Sequence, residues 1–143
     1  GRGLESTGWS QKWGVMTAPE APLAGTPQGQ HTVYAHDVSW SFARRKADSR
    51  LKAFELMPDN RLLVLERSRE GSKKQQTASL RLVHLDDCAE SSGCTTQTLA
   101  VLPTGPDNFE GLALIAPGQA LLVSDNGGKV DADTVFALVP LQQ

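Results

Sequence analysis

The sequence predicts an all-β chain, a β-propeller segment of about three blades of antiparallel strands, on three observations. Short apolar runs recur on either side of Pro, Gly, Asn and Asp turn signals, which is the grammar of β-hairpins. That grammar repeats within the chain. Leu51–Met57, Pro58-Asp59-Asn60 and Arg61–Arg67 match Asp107–Leu114, Pro117-Gly118 and Leu121–Asn126, and Arg2–Glu5 with Gly14–Glu20 forms a weaker third copy. Self-similarity at a period of roughly fifty residues marks a propeller or array, where each repeat is one supersecondary unit. Finally, no stretch holds a helical period over a useful length.

Taken in order, 1–143 divides into blade-like units at 1–48, 49–104 and 105–143. The first holds strands near Leu4–Trp9, Val15–Ala18 and Thr32–Ala35, and a fourth at Val38–Ala43, where Trp40 and Phe42 alternate with serines. Pro19–Gln30, with three prolines and two glycines, reads as a loop long enough to border a site. The second unit has four strands, Leu51–Met57, Arg61–Arg67, Ala78–Leu85 and Thr95–Leu102, with Ser68–Thr77 as an exposed polar loop. The third supplies the Pro117-Gly118 hairpin and a strand over Asp133–Val139. A fourth strand from elsewhere would complete it, because closure removes an open sheet edge. The initial Gly, already inside a repeat, reads as the start of a piece of a longer polypeptide.

Composition narrows the classes. The 39% hydrophobic and 21% charged fractions are those of a folded globular protein. A net charge of −2 argues against nucleic acid as the main partner, since phosphate backbones need clustered Lys and Arg. Arg44-Arg45-Lys46 and Lys73-Lys74 are short and read as solvated loops. No run approaches a membrane-spanning length. Cys88 and Cys94, the only cysteines, are too isolated for a zinc site. A local disulfide across a polar hairpin loop fits them, and it would place the chain in an oxidising compartment; two free thiols are the alternative.

The candidate chemistry lies in acids at repeated positions. Blades run outward along a channel-lining first strand and back along the second. The start of the first and the end of the second therefore share a face. By that logic Glu5, Glu20, Glu66, Glu110 and Asp125 converge with Lys52, an oxygen-rich set suited to calcium or another divalent cation. Such an ion could polarise a phosphoryl or carbonyl oxygen. Alternatively, the acids bond to the backbones of neighbouring blades and tie the ring. Glu110 and Asp125 each lie seven residues from the Pro117-Gly118 turn. Symmetric pairing would oppose two carboxylates, an unfavourable contact without a cation, a shared proton or water. Lys52 is expected opposite Glu66 as an ion pair, and Lys52, Arg67 and Asn126 are the candidates to meet substrate charge. The scattered histidines and the lack of a Gly-x-Ser-x-Gly elbow give no basis for a Ser-His-Asp triad. Trp9, Trp13 and Trp40 read as blade packing.

Arg2–Glu5, Ala18-Pro19-Glu20, Leu63–Arg67, Asp107–Leu112 and Val123–Asn126 together resemble the phytase-like family, also described as esterase-like activity of phytase. The resemblance covers nearly the whole chain and rests on the order and spacing of several motifs. It implies a secreted or periplasmic β-propeller related in architecture to calcium-dependent phytases. About three blades are represented, so it also implies that the rest of the propeller chain, or a second copy, completes the ring. Two functions follow as expectations: a cation-assisted hydrolase of phosphate esters or simple esters, or a non-catalytic propeller that binds a ligand or protein on its loop face.

Overall fold

A computed structural model of the chain describes residues 3–69, 71 and 75–142, and every regular element among them is a strand. Arg2 and the Lys73-Lys74 pair lie outside the described residues. The strands are β1 (Leu4–Ser10), β2 (Gly14–Pro19), β3 (Gln30–Tyr34), β4 (Ser39–Ala43), β5 (Arg50–Leu56), β6 (Arg61–Arg69), β7 (Gln76–Ala89), β8 (Gly93–Gly105), β9 (Asn108–Ala116), β10 (Gln119–Asp125) and β11 (Phe136–Pro140). They form three antiparallel meanders, β1-β2-β3-β4, β5-β6-β7-β8 and β9-β10-β11. The predicted strands all form, and the third unit has three strands, as its sequence implies.

The run Leu62-Leu63-Val64-Leu65 explains how the sheets stack. Successive strand residues point to opposite faces, so an unbroken apolar run needs a layer on each side. Leu62 and Val64 pack with Met16, Ala18, Val33, Trp40 and Phe42 of the first sheet. Leu63 and Leu65 pack with Phe109, Ala120, Leu122 and Val139 of the third. The second sheet is thus the middle blade. First strands of neighbouring sheets touch, β1 with β5 and β5 with β9, while the outer strands β4 and β8 touch each other. That radial order is compatible with consecutive blades of a partial propeller.

Turn chemistry fixes each hairpin. In the β5–β6 turn Asn60 takes a left-handed backbone, φ 61°, and Gly118 does the same in β9–β10, φ 76°. Cys88 and Cys94 pair directly across β7 and β8 and form a disulfide, as expected. At that tip Gly93 lies so close to Ser41 that a Cβ would come within 2.4 Å of its carbonyl oxygen. The stapled hairpin end therefore docks on the first blade. Trp13 and Trp40 stack edge to face at 4.9 Å, whereas Trp9 is 69% exposed.

Burial differs sharply between the middle and outer sheet faces, and this yields a first prediction. Leu63→Ala should cost about 2–5 kcal/mol in urea unfolding, because a void would open between two blades. Leu138→Ala, on the open face of β11, should stay within about 0.5 kcal/mol. Equal losses at the two positions would refute the stacking order.

Candidate functional site

Each first strand carries a β-bulge at the same place, and each bulge holds a charged residue. Register shifts between Leu4 and Ser6, between Leu51 and Ala53, and between Phe109 and Gly111 leave Glu5, Lys52 and Glu110 without cross-strand partners. A bulge re-aims its extra side chain, here toward the meeting point of the first strands. The residues before the bulges, Leu4, Leu51 and Phe109, pair with Pro19, Glu66 and Ser124. The residues that follow these in the chain, Glu20, Arg67 and Asp125, are therefore the equivalent set. Each stands 15 residues after its bulge residue. The blades thus carry an acid pair, a base pair and an acid pair.

This register corrects two expectations. Lys52 does not oppose Glu66, because the bulge shifts it out of register and Glu66 pairs with Leu51 instead. Nor does Asp125 face Glu110. It pairs with Asn108, and its Oδ1 accepts the Gly127 N–H at 2.9 Å. The like-charge pair expected there occurs instead between Arg50 and Arg67, which are direct cross-strand partners.

The side chains meet as a charged knot. The Lys52 ammonium donates to Glu20 of the first blade and lies 2.9 Å from Glu110 Oε1 of the third. Glu20 also stands 3.1 Å from Arg50 Nη1 and 3.5 Å from Arg67 Nη2, so it relieves that like-charge pair. Arg67 Nη1 donates to Asn108, whose amide donates in turn to Glu110. Burial pushes the Glu20 carboxyl up, but the hydrogen bond and charge of Lys52, helped by Arg50, hold it below the usual carboxylate range. Burial lowers the Arg67 guanidinium and the neighbouring Arg69 lowers it further, against the pull of Glu20 and Glu110. Glu55, which faces the channel between the first strands, is raised by burial.

Glu66 belongs to a second cluster, so the five acids do not converge. Its carboxylate, 0% exposed, accepts from Arg81, accepts the Arg45 backbone N–H at 3.1 Å, and lies 3.4 Å from His31 Nε2. Burial pushes it up, yet His31, Arg81 and the Arg45 N–H outweigh that and bring it to about 2. Glu5 is exposed on the channel wall. Asn126 closes its own turn, accepting the Gly128 N–H and donating to the Ala132 carbonyl. Among the described residues no group of three or more His, Cys, Asp or Glu is arranged to hold a metal ion. Glu20, Glu66 and Glu110 are neutralised by protein cations, so this donor set does not fit a calcium ion.

Beside the knot opens a 440 Å³ cleft that sequence reasoning missed. Arg44, Arg50, Arg67 and Arg69 line it, with Asp48 and, from the Pro19–Gln30 loop, Ala21, Pro22 and Gln28. That loop borders the cleft. Arg44 is fixed by the carbonyls of Gln28 and Ser49, so it is no freely solvated charge. Asp48 accepts the Arg69 backbone N–H at 2.8 Å. The available signal was the spacing of Arg67 and Arg69, which share a strand face two residues apart.

The family model described as phytase-like, esterase-like activity of phytase, matches residues 1–128. The chain belongs to the phytase-like family. None of the curated proteins and none of the solved structures matches it. In this phytase-like chain the matched span takes in both the knot and the cleft, and no helix of the described residues is long and apolar enough to cross a membrane.

The two clusters make a pH prediction. The Glu66 carboxyl is depressed in the fold, so its stabilisation is present above the ordinary value of 4.5 and is lost as pH falls toward about 2. Glu66→Gln should cost about 3–5 kcal/mol at neutral pH, because it leaves Arg81 buried without its charge partner. It should also flatten the acid limb of the stability curve. An unchanged acid limb in the variant would show that other carboxylates govern acid unfolding.

Proposed function

We propose that this phytase-like chain binds an anionic ester, with a phosphate ester as the best fit, in the arginine cleft, and that the same site supports hydrolysis of that ester. One observation carries the reading: four arginines line a single 440 Å³ cavity in which, among the described residues, Asp48 is the one acidic lining residue. Guanidinium groups present planar donor forks matched to phosphoryl and carboxylate oxygens. Arg67 and Arg50 are partly balanced by Glu20, while Arg69 adds positive charge that depresses Arg67. An anion in the cleft relieves that repulsion. The volume falls in the range of small-molecule sites.

For hydrolysis, arginines held rigidly before the substrate arrives stabilise the charge that develops on the ester oxygens in the transition state. Glu20 keeps Arg50 and Arg67 in place and, held ionised by Lys52, acts as an orienting group. The disulfide suits an oxidising compartment, so the proposed location is periplasmic or secreted. The competing reading, a non-catalytic binding propeller, uses the same cleft and differs only in turnover.

Titration with inorganic phosphate, followed by calorimetry and melting temperature, tests the site. Phosphate at 100 times its dissociation constant should stabilise the fold by about 2.7 kcal/mol. Arg69→Gln should weaken binding at least about tenfold, since it removes a charge-assisted contact. Phosphate that leaves both wild-type signals unchanged would refute the anion site. Chromogenic phosphate and acetate esters, with calcium and with chelator, then separate the two readings. Turnover lost in Arg69→Gln supports the hydrolase, and binding without turnover leaves the binding module.

A further inference from the structure

The repeat assigns an equivalent position to each blade-facing residue, and one face in the set has no neighbouring sheet among the described residues. Ala18, Leu65 and Val123 are equivalent, each the second-strand residue before Pro19, Glu66 or Ser124. Two residues earlier stand Met16, Leu63 and Leu121. Met16 and Ala18 are fully covered by the middle blade, and Leu63 and Leu65 by the third. In the third blade, Leu121 pairs with Leu138 and Val123 with Phe136, and these partners are 63% and 67% exposed. On β9 the same rows are completed by Ala113 and Gly111. The rows form an apolar sheet face without a charged residue, unlike a solvent-facing antiparallel sheet.

The charges at the rim say what can cover it. Across the joint between first and middle blades, Glu20 receives the bulge residue of the next blade, Lys52. Across the next joint the middle blade's basic residues meet Glu110 and Asn108 of the third. Sign alternates at both joints. At the open face the corresponding residue is Asp125, exposed and, among the described residues, bonded only within its own turn. We infer that the β9–β11 face is a docking surface for a β-sheet unit that carries Lys or Arg at the position equivalent to Lys52. A second copy of this chain does not meet that requirement, since its first blade would bring Glu5 against Asp125 and Glu110. Like charges so juxtaposed reject a partner that apolar contact alone would accept.

Sedimentation velocity on the whole chain at neutral pH and low ionic strength tests the inference, with the chain's own first blade as the probe. Wild type should remain monomeric. Glu5→Lys, a change at an exposed residue, supplies the missing base and should tighten self-association at least about tenfold, as expected when an ion pair replaces a like-charge contact. Added salt should weaken that association. Leu138→Arg, introduced beside Glu5→Lys, should return the protein to monomer by placing a charge in the apolar face. The inference is overturned if Glu5→Lys associates no more than wild type, or if its association survives Leu138→Arg.

Discussion

The contact on which the site depends is the Lys52 ammonium, held between Glu20 of one blade and Glu110 of another. Packed sheets with apolar faces slide against one another at little cost, because dispersion and burial are non-directional. A nearly buried charge is different. It is tolerated only where its partners stand, and moving it away leaves carboxylates unpaired in a poorly hydrated place. Lys52 therefore fixes the mutual position of three sheets at the end of the channel. Its reach comes from the bulge, which takes the side chain out of the alternation of β5 and aims it at the joint.

Much of the architecture was legible in the sequence because hairpins are local. Turn residues such as Pro58-Asp59-Asn60 and Pro117-Gly118 sit between apolar runs, and those signals survive without tertiary context. The disulfide was legible for the same reason, since its cysteines lie six residues apart on one hairpin. What the sequence hid was register. Reading Glu66 as the mate of Lys52 required an unbulged strand. With the bulge, Arg67 takes the place that Glu20 and Asp125 hold in the other hairpins, and all three spacings become 15. A slip of one residue turns every side chain to the other face. It sends Glu66 to the joint with the first blade, where His31 and Arg81 meet it, and leaves Arg67 at the knot.

The same slip changes the chemistry of the site from acidic to basic. Five converging carboxylates would call for a hard cation. Two carboxylates, Glu20 and Glu110, set among Lys52, Arg50 and Arg67, already have their counter-charge. The excess sign in the neighbouring cleft is positive. Arg44 and Arg50 follow β4 and begin β5, and Arg67 and Arg69 end β6, so no window of the sequence shows them as a group. They are gathered only when the antiparallel register places Arg50 against Arg67 and the first blade's long loop folds over them. Arg44-Arg45-Lys46 reads as a solvated loop for this reason.

A stack of similar sheets faces a problem that apolar packing alone does not solve, because it is non-directional. Met16 with Ala18, Leu63 with Leu65, and Leu121 with Val123 occupy equivalent positions, and all are apolar. Order in the stack then has to come from groups that discriminate. Charges at the bulge and at the residue 15 positions on do so with one rule, opposite signs across each joint. The rule works because these groups sit at the edge of the apolar stack. There water is scarce enough to strengthen a correct pair, while a wrong one leaves unpaired charge beside hydrocarbon. Acid, base and acid along this chain tie the three sheets together, and under the docking inference they serve as an address as well.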